Sequence, residues 1–222
     1  MVEDALRELG WQGSSILSAG RTDTGVHALG QVIAFDLDWA HSPEELQAAL
    51  NSLLPLSISV GSVQPTREDF HPRYDARSRS YAYHLFCEPV RQPLKERYAW
   101  RVWPAVNLDR LAAVASAFEG RHDFAAFGTP PRAGSSTLRT IFEACWKEVE
   151  SPLGGVELVF QVRGDAFLYR MVRRLASVQV EVGQGRLEPE VVREYLRHPP
   201  PNPIQGLAPP NGLVLVNVSY TA

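Results

Sequence analysis

Residues 20–30 read GRTDTGVHALG, from Gly20 to Gly30, and lie between two short apolar stretches at 15–19 and 32–38. Three glycines punctuate the eleven residues, so the polar cluster belongs on a tight loop leaving a strand rather than inside one. Asp23 stands two residues after Arg21 and four before His27. In an extended stretch positions i and i+2 point the same way, so Arg21 can pair with the Asp23 carboxylate or gate access to it. Two readings stay open: an acting carboxylate, or one that merely caps turn amides.

Working outward, residues 2–9 have helical spacing, and the flanking apolar stretches have the character of strands. Ser42-Pro43-Glu44-Glu45 opens a helix: serine caps it, proline takes the first position and the acids occupy the positive end of the dipole. That helix should run to about Leu53. Residues 57–63 read as a strand, 67–79 as an arginine-rich connection, and 80–86 as an alternating strand. The domain boundary is placed there, giving 1–78 with the Asp23 loop and 79–222 as a second domain. The second domain should hold helices at 108–118, 167–182 and 189–196 and strands near 141–149, 156–162 and 213–218. Six prolines between His198 and Pro210 exclude a helix or an interior strand and predict an ordered crossing loop. Strands and helices that alternate without a regular rhythm suggest an α+β fold with a mostly antiparallel sheet and helices on one face.

Tyr81 and Tyr83 share one strand face, as core or as a platform on which a base could stack. In the helix at 167–182, Leu168, Met171, Leu175, Val178 and Val182 form an apolar stripe. Arg173 projects from roughly the opposite side, flanked by Arg170 and Arg174, as a solvated charge or as one facing a cleft. Arginines so grouped suit phosphate contact.

The 222 residues are 45% hydrophobic and 21% charged, ordinary globular material. No apolar run approaches bilayer length and the acidic start lacks a signal-peptide core, so a soluble, cytoplasmic protein is expected. Cys87 and Cys145 have no pair spacing, and the six histidines are scattered singly, so neither a disulfide framework nor a metal site is suggested. The net charge of -3 argues against nucleic acid, yet residues 1–50 hold eight acids and two arginines, which leaves +3 for the remainder. Seven bases against three acids lie in 73–101, and five against two in 163–186, either as solvated faces or as phosphate-binding surface.

GRTDTGVHALGQV at 20–32 resembles the nucleophile motif of the A-type tRNA pseudouridine synthases, written G-R-T-D-x-G-V-H. Further stretches agree in order: 69–73 followed by 79–83, 122–124 with Phe127, 166–173, and the closing 212–215. The resemblance implies an α+β fold of two ferredoxin-like halves around a central RNA-binding cleft. It implies isomerisation of uridine to pseudouridine at positions 38 to 40 of the tRNA anticodon arm, by a homodimer using neither metal nor cofactor. Asp23 is the implied catalytic carboxylate, with Tyr81 stacking on the base and moving a proton, and Arg173 pairing with Asp23. Arg21 flips and holds the nucleotide and Leu213 packs beneath the uracil; His27, Arg73, Arg79 and Arg170 complete the expected substrate-binding set. Members of this family begin with a strand ending in Tyr-Asp-Gly ahead of the first helix, whereas this sequence starts within that helix. A missing strand and an unpaired sheet edge are therefore expected. The alternative to catalysis is an inactive RNA-binding α+β module, and a third reading is a metal-dependent hydrolase on Asp23, His27 and His71.

Overall fold

The computed structural model describes residues 1–132 and 134–221. The chain divides into two compact units, one of residues 1–20 with 32–75 and the other of residues 21–31 with 76–222. The first holds α1 (Val2–Glu8), β1 (Leu17–Ser18), β3 (Ile33–Ala34) and α2 (Pro43–Leu53). Helix α2 carries the expected cap: Ser42 Oγ accepts from the Glu45 N–H, and the Glu45 carboxylate accepts from the Ser42 N–H. Leu6, Trp11, Leu46 and Leu50 form the core of this unit.

Two expectations for this unit change. The flanking strands shrink to the two-residue antiparallel pair β1–β3, and residues 57–63 are not a strand. The Val60 N–H donates to Asn51 Oδ1, while its carbonyl accepts from the Asn51 and Gln47 side-chain amides. Side chains of α2 thus satisfy the backbone groups that a neighbouring strand would have taken.

The second unit holds β2 (His27–Ala28), β4 (Ser78–Cys87), β5 (Trp100–Val102), α3 (Leu108–Ala115), β6 (Gly120–Asp123), β7 (Leu138–Glu150), β8 (Val156–Gly164), α4 (Met171–Gly183), α5 (Pro189–Arg197) and β9 (Leu213–Ser219). Its seven-stranded sheet runs β2-β9-β4-β8-β7-β6, with β5 also on β4. The β2–β9 and β4–β5 pairs are parallel and all others antiparallel, an α+β arrangement with a mixed, mostly antiparallel sheet. Tyr83, Leu85, Phe160 and Val162 point from the sheet into a core closed by Leu111, Val114, Leu175, Val178 and Val192 of the three helices. The proline-rich stretch after α5 is the expected loop, ending in a 3-10 turn at Pro210–Gly212.

The short strands β5 and β6 were not foreseen, nor were two further features. The GRTDTGVHALG loop carries a strand of its own, β2, and residues 21–31 accordingly count with the second unit. The long helix begins at Met171 rather than 167, and apart from Arg174 and Glu181 every residue in it is buried, Arg173 and Gln179 included. A helix buried on nearly all sides carries its apolar stripe and still has polar groups inside. Gln179 meets that demand by accepting from Trp146 Nε1 at 2.7 Å and donating to the Leu175 carbonyl.

Candidate active site

The Asp23 loop is fixed at both ends by backbone geometry. The Val26 N–H bonds the Asp23 carbonyl at 3.0 Å, and Gly25, at φ 83°, is the third residue of that turn. Thr24 lacks a positive φ, so the turn is type II, which calls for glycine at this place. At the far end the Leu29 and Gly30 N–H groups both reach the Leu215 carbonyl. A Cβ on Gly30 would lie 2.4 Å from the Val216 carbonyl oxygen, so only glycine permits this approach. Val216 is the extra residue of a bulge in β9, where pairing with β4 skips from Asn217–Ser80 to Leu215–Tyr81.

β2 lies parallel to β9, with His27 opposite Val214, and Leu213 of β9 lies opposite Tyr83 of β4. Asp23 precedes β2 and so falls at the start of β9, where α4 also begins. There Arg173 Nη1 donates to Asp23 Oδ2, and Arg170 Nε lies 3.8 Å from the same oxygen. Arg173 is buried, and its Nε donates to the Ala208 carbonyl at 2.8 Å while the Ala208 N–H donates to the Arg173 carbonyl at 3.3 Å. The fork of one guanidinium therefore joins Asp23 to the end of the proline-rich loop. Ala208 was not singled out from sequence, because a carbonyl acceptor leaves no trace in residue type.

Arg170 is the only residue other than glycine with a positive φ among those described, at 63°. An L-residue there costs about 1–2 kcal/mol, and such strain collects at functional sites. The conformation turns the chain into α4 while Arg170 stacks on Tyr169, 4.7 Å from its ring centre, and faces Asp23. Replacing it tests the strain: Arg170→Gly should leave thermal stability unchanged or raise it by up to about 1 kcal/mol. A clear fall in the melting midpoint would mean the arginine's contacts outweigh the strain.

The other expected residues take varied positions. Arg21 is exposed and makes no ion pair with any described residue. Tyr81 is half-buried, edge-on to Phe167 with ring centres 5.0 Å apart, and burial raises its phenol above the ordinary range against the opposing charge of Arg79. The shared face of Tyr81 and Tyr83 resolves into two environments, since Tyr83 is wholly buried and donates to the Pro209 carbonyl at 2.8 Å. Leu213 is buried. Arg79, counted from sequence among substrate contacts, is buried and donates to the Asp165 carbonyl, and the His27 ring is held by the Arg97 carbonyl at 3.1 Å beside Tyr98. Arg73 belongs to the first unit, exposed, its guanidinium 5.8 Å from the Tyr74 ring centre. Among the described residues no three His, Cys, Asp or Glu side chains converge as metal ligands would. No helix among them is long and apolar enough to cross a membrane.

A family model described as tRNA pseudouridine synthase matches residues 2–75 and 114–221. A protein named tRNA pseudouridine synthase A from Pelobacter propionicus is 37% identical over 220 residues, 99% of this chain and 88% of its own length. Proteins of the same name from Geotalea uraniireducens and Pseudothermotoga lettingae are each 36% identical over the same shares.

Proposed function

The chain belongs to the tRNA pseudouridine synthase family, and from that membership we propose that it isomerises uridine to pseudouridine in tRNA with Asp23 as the acting carboxylate. The observation that carries the assignment is the Arg173–Asp23 ion pair, joining the family motif at 20–32 to the start of α4. A carboxylate meant only to cap a turn would face backbone N–H groups; this one faces two arginines.

The reaction breaks the uridine N1–C1′ bond, turns the base and joins C5 to C1′; the C5 proton leaves and N1 gains one, so nothing is oxidised or reduced. One anionic oxygen acting on the nucleotide starts the exchange, and Asp23 Oδ is the group we assign. Tyr81, its phenol raised by burial, stays protonated at neutral pH and serves as stacking surface and proton donor. Leu213 packs beneath the base. Arg21, Arg73 and Arg170, all exposed, are assigned to the RNA backbone, while the buried Arg79 and the carbonyl-bound His27 brace the site. The target base must leave its stack at a cost of a few kcal/mol, which arginine–phosphate contacts offset.

The finer reading is that the substrate is the anticodon arm at positions 38 to 40 and that the enzyme works as a cytoplasmic homodimer. Incubation with unmodified tRNA transcripts, followed by pseudouridine mapping, should place the product at those positions. Binding without any pseudouridine would leave an RNA-binding protein and sink the enzymatic reading; product elsewhere in the tRNA would sink only the choice of site.

A further inference from the structure

Tyr83 takes no part in the site described above, yet the Arg173–Asp23 pair is connected to it through one turn. Residues 208–212 each make a contact, five in succession. Ala208 exchanges two hydrogen bonds with Arg173, one from its side chain and one to its main chain. The Pro209 carbonyl accepts from the buried Tyr83 hydroxyl at 2.8 Å. The Pro210 ring lies where a Cβ on Gly25, in the turn of the Asp23 loop, would come within 3.1 Å of it. Asn211 Nδ2 donates to the Glu96 carbonyl at 2.6 Å and the Ala99 carbonyl at 3.2 Å. Gly212 then packs on the Tyr83 ring, leaving no space for a Cβ. A single turn therefore touches the arginine on one side and the Asp23 loop on the other, and its proline carbonyl is held by one phenol rising from the sheet.

We propose that Tyr83 is a positioning residue for the Asp23–Arg173 pair, acting through the Pro209 carbonyl; the proposal rests on Asp23 being the acting group. Prolines at 209 and 210 stiffen the turn but remove two backbone donors. The Tyr83 hydroxyl thus ties the turn to β4, and Asn211 ties it to the carbonyls of Glu96 and Ala99. Loss of the hydroxyl leaves a partly buried carbonyl without its donor and lets Ala208 drift, and with it the guanidinium that aims the Asp23 oxygen. Misplacement on the order of 1 Å at a reacting group can slow chemistry by about a hundredfold.

The test is single-turnover conversion of an unmodified tRNA transcript at saturating enzyme, with filter binding and thermal melting run alongside. Tyr83→Phe should slow conversion roughly tenfold or more, with tRNA affinity within about twofold of the parent. In an Arg173→Ala background the same substitution should add almost nothing, because the path it acts through is already gone. A purely structural tyrosine would lower the melting midpoint and slow both backgrounds by the same factor, which overturns the proposal, as does a Tyr83→Phe enzyme at the parent rate. Asn211→Ala, which loosens the same turn without touching the core, should reproduce the slowing. If Tyr83→Phe fails to fold, a parent-like Asn211→Ala overturns the proposal on its own. An Asp23→Asn enzyme that still turns over would sink the underlying assignment instead, so the two failures are told apart.

Discussion

Asp23→Asn is expected to abolish pseudouridine formation while leaving tRNA binding largely intact. Asparagine keeps the size of the side chain and can still accept from Arg173 through its amide oxygen, but it carries no anionic oxygen to act on the nucleotide. The loop itself should survive the change. Its shape rests on the Asp23 main-chain carbonyl to Val26, on Gly25 and on the anchoring of Leu29 and Gly30 to Leu215, none of which involves the Asp23 carboxylate. If affinity rests mainly on the proposed arginine–phosphate contacts, removing one negative charge beside them should leave it equal or slightly tighter. Release of tritium from C5-labelled uridine in a single turnover, with filter binding at fixed salt, makes the measurement. Residual turnover above about a hundredth of the parent rate would contradict the assignment, since loss of an acting group normally removes far more.

Arg173→Ala should fail in two ways at once. The sequence, read as a helix with an arginine on its back, predicts lost turnover with the fold untouched. The buried position changes that expectation: alanine leaves a void, a carbonyl at Ala208 without its side-chain donor, and the Asp23 carboxylate, whose side chain is only 19% exposed, without its nearest partner. Breaking an ion pair this shielded costs roughly 2–4 kcal/mol, which in a protein of this size lowers the melting midpoint by roughly 5–15 °C. Turnover at matched RNA occupancy should fall by about a hundredfold or more as the Asp23 oxygen loses its alignment. Arg173→Lys refines the test, because one ammonium can neutralise Asp23 but has no rigid fork with which to hold Ala208 as well. It should recover part of the stability and little of the rate. An alanine variant that melts with the parent would show that the guanidinium is not structural, and one that turns over within a few-fold of the parent would remove Arg173 from the site.

Much of the site was legible in residue types. The spacing of Gly20, Asp23, Gly25 and Gly30 identified a constrained loop presenting a carboxylate, and the structure shows why two of those glycines are required: one supplies a positive φ, the other lies 2.4 Å from a carbonyl at its missing Cβ. Arg170 and Arg173 were singled out from their place at the start of a long helix. What could not be read was burial. The stripe of Leu168, Met171, Leu175, Val178 and Val182 correctly marks an inward face, but periodicity cannot tell whether the opposite face meets water or other protein. Here it meets protein, and Arg173 is inside. Arg79 shows the same limit: nothing in its residue type tells that it lies buried with its guanidinium on the Asp165 carbonyl.

The sequence by itself determined the local elements: capped α2, the alternating β4, the closing β9 and a glycine-bounded turn carrying the Asp23 carboxylate. These follow from periodicity, capping and backbone preference, which are properties of neighbours along the chain. Only the tertiary structure decided that 57–63 gives its backbone bonds to Asn51 and Gln47 instead of a ladder, that the Asp23 loop forms a parallel strand on β9, and that a turn near the end of the chain joins Tyr83, Arg173 and Gly25. Each of these rests on a main-chain group finding its partner at long range, with Pro209 and Tyr83, for instance, 126 residues apart. Every residue carries the same carbonyl, so nothing in its identity shows which one will be met.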